Sequence, residues 1–125
     1  MEIYHLTASS GRAITDFLSQ GVVLCPIAQT SQQSHIAACY LEAEGRIGAH
    51  DAASDQLLLV TFGGGTVSGR EGIPQPIQPG DVVVWHKGES HETLAGPQGL
   101  HAIVVEADHV QLHTALTHSG PRPPT

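Results

Sequence analysis

Residues 79–92 read Pro79-Gly80-Asp81-Val82-Val83-Val84-Trp85-His86-Lys87-Gly88-Glu89-Ser90-His91-Glu92. A Pro-Gly-Asp turn opens the stretch, and the β-branched run that follows, closed by Trp85, has the composition of a buried strand. Gly88 then breaks the run and delivers His91 just beyond the corner. A strand, a glycine corner and a histidine in that order suit a barrel wall that turns and aims a polar side chain inward. The question is what stands opposite that histidine.

The rest of the chain reads as more short strands. Gln56–Phe62 is the strongest and stops at Gly63-Gly64-Gly65, which with Thr66–Gly69 predicts a hairpin with a tight glycine corner. His35–Glu42 reads as a strand buried on both faces, Val22–Cys25 as one stopped by Pro26, and Leu100–Glu106 as a last strong one. Gly96–Gly99 reads as a turn, Met1–Thr7 as a short edge strand, and Val110–Leu116 as a closing strand or a brief helix. Ile14, Phe17 and Leu18 have helical spacing, but Gly11 and Gly21 confine any helix between them to a turn or two. The count is roughly nine or ten strands with turns about every 8 to 12 residues, without a βαβ pattern or an internal repeat, so the class is all-β: sandwich, jelly roll or small barrel. Residues 1–116 are expected to form one domain and 117–125, THSGPRPPT, a flexible Pro-rich tail.

Composition narrows the function. Five basic residues against twelve acidic ones, a net charge of −7, exclude the basic face that nucleic acid or an anionic membrane would need. No apolar run approaches the ~20 residues of a membrane span, and the first residues lack the charged and apolar regions of a signal peptide. Cys25 and Cys39, without a CxxC, read as reduced thiols, which together with the missing leader predicts a cytoplasmic protein. The expected partner is a small molecule. Nine histidines in 125 residues are many, and composition alone does not explain them.

Two segments resemble the paired motifs of the cupin superfamily: Gly45–Gly65, GRIGAHDAASDQLLLVTFGGG, and Gly80–Ala95, GDVVVWHKGESHETLA. In the first, His50 follows Gly45 after four residues where the family has five, Gln56 holds the glutamate position, and Gly63 comes where the motif ends. In the second, Gly80, Gly88 and His91 fit and His86 replaces a proline. The resemblance implies a double-stranded β-helix, the cupin jelly-roll barrel, with a cavity at one mouth, and, from the family's habit, a homodimer. In metal-binding members three histidines and a glutamate hold a divalent ion. Carried over, His50 and His91 match ligands, while Ala52 replaces a histidine and Gln56 the glutamate, so the set left for a divalent metal (Zn, Fe, Mn or Ni) is His50, Gln56 and His91. The alternatives are a metal-free polar pocket built from the same residues, and a purely structural role for them. Trp85, His101, His35 and Glu89 are further candidates to line the cavity, with His101 the best replacement for the donor missing at Ala52. His86 reads as solvent-facing, and His5, His109, His113 and His118 as exposed. No catalytic grouping of the Ser/His/Asp or Cys/His kind can be argued from spacing, so whether the chain is an enzyme stays open.

Overall fold

The computed structural model describes residues 1–118 and 120–122. The strands are β1 (Glu2–His5), β2 (Arg12–Ile14), β3 (Val22–Leu24), β4 (Ala28–Thr30), β5 (Ser34–Leu41), β6 (Arg46–Asp51), β7 (Asp55–Ser68), β8 (Gln75–Ile77), β9 (Asp81–Trp85), β10 (Ser90–Ala107) and β11 (Val110–Leu112), followed by one helical turn, α1 (Thr114–Thr117). Among the described residues no helix is long and apolar enough to cross a membrane.

Two long strands make the architecture. β7 runs for 14 residues and β10 for 18, and each bends midway so that its halves belong to different layers. One layer is β1-β9-β7-β10-β5; in the other, β8 pairs with the second half of β7 and β6 with the first half of β10. Every pairing is antiparallel. Between the layers Leu58, Val60, Val83, Trp85, Leu100 and Ala102 meet Val67, Ile77 and Ala95. A second core lies on the outer side of the first layer, where Leu57, Val82, Val84 and Ala107 are covered by Val110 and Leu116.

The glycine-rich stretches are corners, not turns. The hairpin expected at Gly63–Gly65 is absent: the strand continues, and Gly65 pairs with both Ala95 and Ile77. The reason is close backbone approach. A Cβ at Gly63 would stand 2.1 Å from the Gly99 carbonyl oxygen, and one at Gly65 1.9 Å from that of Leu94. Likewise Gly96–Gly99 is a bend inside β10 rather than a turn between strands. Only glycine lets the two bent strands stack there.

Three other readings sharpen or change. Residues 11–20 hold one 3₁₀ turn, Asp16–Leu18, in the connection of a small hairpin in which β2 pairs with β3, and Phe17 in that turn has φ of +60°. The stretch read as closing strand or helix is both, β11 and then α1, whose first turn is capped by the His113 side chain accepting from the Ala115 N–H. β5 is not buried on both faces. It is the end of its layer, and Ser34–Ala38 are all exposed. Part of the tail lies outside the described residues; within them the Arg122 guanidinium pairs with the buried carboxylate of Asp81 at 2.5 Å.

Candidate functional site

His91 and His50 are brought together by register. They are directly paired across β10 and β6, face the interlayer core with Thr93 and Ala95, and their ring centroids lie 4.4 Å apart. His91 is 4 % exposed, whereas His50 opens to solvent. Each ring is tied the same way: the Nδ1 of His91 lies 3.2 Å from the Glu89 carbonyl oxygen and that of His50 2.7 Å from the Gly48 carbonyl oxygen. A carbonyl can only accept, so each Nδ1 carries the proton and each Nε2 keeps its lone pair. Burial lowers the pKa of His91, and a charge on His50 would lower it further, so His91 is neutral at neutral pH. The pair offers two acceptors side by side.

Trp85 stacks under His91 with centroids 4.7 Å apart and gives its indole N–H to the Ser68 carbonyl oxygen at 3.1 Å. At 1 % exposure it is floor for the histidine, with no face left for a ligand. From Trp85 a polar row crosses the first layer through cross-strand partners: Gln56 on β7, Glu106 on β10 and His35 on β5. The Gln56 amide donates to Glu106 Oε1 at 2.8 Å, which leaves the Gln56 carbonyl oxygen free. Glu106 was not legible as a site residue, since its partner is 50 positions away in the chain.

The other candidates fall elsewhere. His101 does not line the cavity and cannot replace the donor missing at Ala52. Leu100 and Ala102 take the inward positions, and His101 points outward between Tyr40 and Phe62, 4.8 Å from each ring centroid. Glu89 is buried, but at a different pocket of about 430 Å³ that it lines with Arg70, Gln75 and His86. Burial pushes its carboxyl up, yet the Met1 ammonium at 2.6 Å and the N–H groups of His86 and Arg70 outweigh that and hold it below the ordinary value. His86 is exposed as expected, 4.0 Å from Asp55. His5 is exposed as expected, and its Nδ1 lies 2.8 Å from the Asp81 carboxylate.

No protein-family model and no curated protein matches the sequence. Solved structures do match the fold. A cupin-like protein of Thermotoga maritima superposes with a TM-score of 0.57 at 20% identity over 69% of this chain and 72% of that one. A protein with a double-stranded β-helix domain from Klebsiella pneumoniae gives 0.56 at 17% identity over 86% and 94%. The chain has the cupin fold. A predicted oxalate decarboxylase of T. maritima also matches the chain, with a TM-score of 0.53 at 25% identity over 62% of this chain and 65% of that one.

The residues do not supply the four-ligand set that the resemblance implies for a resident metal. Ala52 has no side-chain donor atom, and Gln56, whose N–H is given to Glu106, offers a neutral carbonyl oxygen in place of a carboxylate. Among the described residues no three His, Cys, Asp or Glu side chains come close enough to share an ion. What remains is a pair of imidazoles with free Nε2 atoms.

Proposed function

We propose that the barrel mouth binds a small polar ligand through His50 and His91, and that the ligand supplies hydrogen-bond donors such as hydroxyl or amino groups. The observation that carries this reading is the matched tethering of the two rings, each Nδ1–H spent on a carbonyl two residues upstream. Two Nε2 acceptors held side by side favour a donor-rich partner over an anion. Gln56, with its carbonyl oxygen free and its amide fixed by Glu106, extends the acceptor surface. Binding is the function this set supports, since two tethered acceptors recognise donors.

The test uses nitrogen-15 spectra of the histidine rings while the protein is titrated with a panel of small polyhydroxyl and amino compounds. Compounds that bind should move the Nε2 resonances of both rings, and His50→Ala, an exposed position, should weaken them at least about tenfold. Binders that leave both rings unmoved and tolerate His50→Ala and His91→Asn would sink the proposal.

A second reading is a weakly held divalent ion on His50, Gln56 and His91. It is favoured by the same tethering, because histidines that ligate metals commonly give their other N–H to a carbonyl. Metal analysis of untagged protein decides it: the wild type should carry more metal than the His50→Ala, His91→Asn double variant.

A further inference from the structure

A pocket of about 460 Å³ opens between the β2–β3 hairpin and α1 and shares no residue with the barrel mouth. Small-molecule sites span roughly 300–1,000 Å³, so its size is sufficient for a ligand. Register brings two chemistries together on its hairpin wall. Arg12 and Leu24 are direct partners across β2 and β3, so their side chains leave the same face of the hairpin, about 5 Å apart at Cβ. Two positions along, Ile14 and Val22 continue that face as an apolar strip. Leu24 is 54 % exposed and Val22 42 %, so the strip has no cover among the described residues.

The opposite wall is braced. The His113 N–H donates to the Ile27 carbonyl oxygen at 2.7 Å, next to Pro26, which lines the pocket, and Leu116 anchors α1 in the outer core. The His113 ring is committed as well, because its Nδ1 accepts the Ala115 N–H at 3.0 Å. A backbone N–H can only donate, so the ring proton sits on Nε2 and the free ring nitrogen is a donor. His50 and His91 hold the opposite tautomer, with each Nδ1 facing a carbonyl. Arg12 is a donor too, and among the described residues it forms no ion pair. The Ser10 hydroxyl is spent on the Thr7 carbonyl oxygen, and Leu24, Pro26 and Ala115 supply apolar surface.

We propose that this outer pocket binds a small carboxylic acid with an apolar tail. The carboxylate takes the Arg12 guanidinium and the His113 Nε2–H, and the tail lies along Leu24, Pro26 and Ala115. The parallel N–H groups of a guanidinium match the two oxygens of a carboxylate, which makes Arg12 the anchor. Both halves of the ligand are needed. A neutral apolar molecule leaves the donors of Arg12 and His113 without an anion, and a short anion leaves the apolar wall uncovered. The chain as a whole carries a net charge of −7, so its general field repels anions and the selection has to come from the local pair of donors. The site is separate from the barrel mouth, and its failure would leave the reading of His50 and His91 untouched.

The probes are octanoate, octanol and acetate, titrated into the full chain and followed by amide, methyl and histidine-ring resonances. Octanoate should move the signals of Leu24, Ala115 and the His113 ring, leave those of His50 and His91 in place, and bind at least about tenfold more tightly than octanol or acetate. Arg12→Gln should weaken octanoate at least about tenfold and leave octanol unchanged. His113→Ser should also weaken octanoate, because it removes the ring donor, while serine still caps α1 by accepting the N–H that the ring now takes. Both positions are exposed, so both variants keep the fold. Octanoate that binds no more tightly than octanol, or that is indifferent to Arg12→Gln, would reduce the pocket to an apolar surface and overturn the proposal. Shifts centred on the exposed Phe17 and Leu18, or no shifts at millimolar octanoate, would overturn it too.

Discussion

His91 is neutral because of where it is, and that has a consequence for stability. Its ring lies between Trp85 and His50 at 4.7 and 4.4 Å, and burial lowers its pKa from the ordinary 6.5. In the unfolded chain the same imidazole takes up a proton as pH falls through 6.5, while in the folded chain it resists until lower pH. The unfolded state then binds more protons, so stability is full above this window and falls as pH drops through it. The thermal midpoint should therefore fall between pH 7.5 and 5.5, and His91→Asn should flatten that slope. Equal slopes in the two proteins would refute the assignment. His50 and His91 were legible in the sequence because each follows a glycine corner at a fixed spacing. The partners of Gln56 and His5 were not, because Glu106 is 50 positions away and Asp81 is 76. His101 failed for a different reason. Alternation in Leu100–Ala107 separates two faces without saying which is inner, and both are apolar because the layer has a core on each side.

At the scale of elements, the strands were legible and their connections less so. Gln56–Phe62 and Val82–Trp85 are apolar enough to be strands in any context, and both lie in the buried layer. The triple glycine looks in sequence like a turn, because glycine marks both a chain reversal and a corner where two backbones touch. The structure separates the two cases, and the glycines should differ sharply on substitution. Gly65→Ala forces a Cβ to within 1.9 Å of the Leu94 carbonyl oxygen at a φ of +159°, so β7 and β10 must part at the corner. A loss of at least about 3 kcal/mol is expected, in the range that broken backbone packing produces. A methyl group added at Gly48 in β6 would meet nothing within 4 Å, and the backbone there has no positive φ, so Gly48→Ala should change stability by about 0.5 kcal/mol or less. Urea midpoints measure both. A comparable effect at the two positions would mean that the corner is not set by backbone contact.

Across the whole molecule, the cupin scaffold keeps Gly80, Gly88 and His91 of the second motif and carries a more altered first one. Gln56 shows what the alteration did. In the family pattern that position is anionic, and here the charge stands on Glu106 of the adjacent strand, with the two side chains joined at 2.8 Å. Restoring the pattern with Ala52→His and Gln56→Glu alone would put two carboxylates at that distance. They would have to share a proton, as paired carboxylates do, and part of the charge meant for an ion would be lost. Adding Glu106→Gln exchanges the amide and the carboxylate and keeps the hydrogen bond between them. The triple variant should therefore bind Zn²⁺ at least about a hundredfold more tightly than the wild type, and about tenfold more tightly than the double variant, differences of roughly 2.8 and 1.4 kcal/mol. Calorimetric titration of the three proteins reads this directly. No gain in the triple variant would show that His50 and His91 do not converge with position 56, while equal gains in the double and triple variants would show that Glu106 takes no part in setting the charge at the mouth.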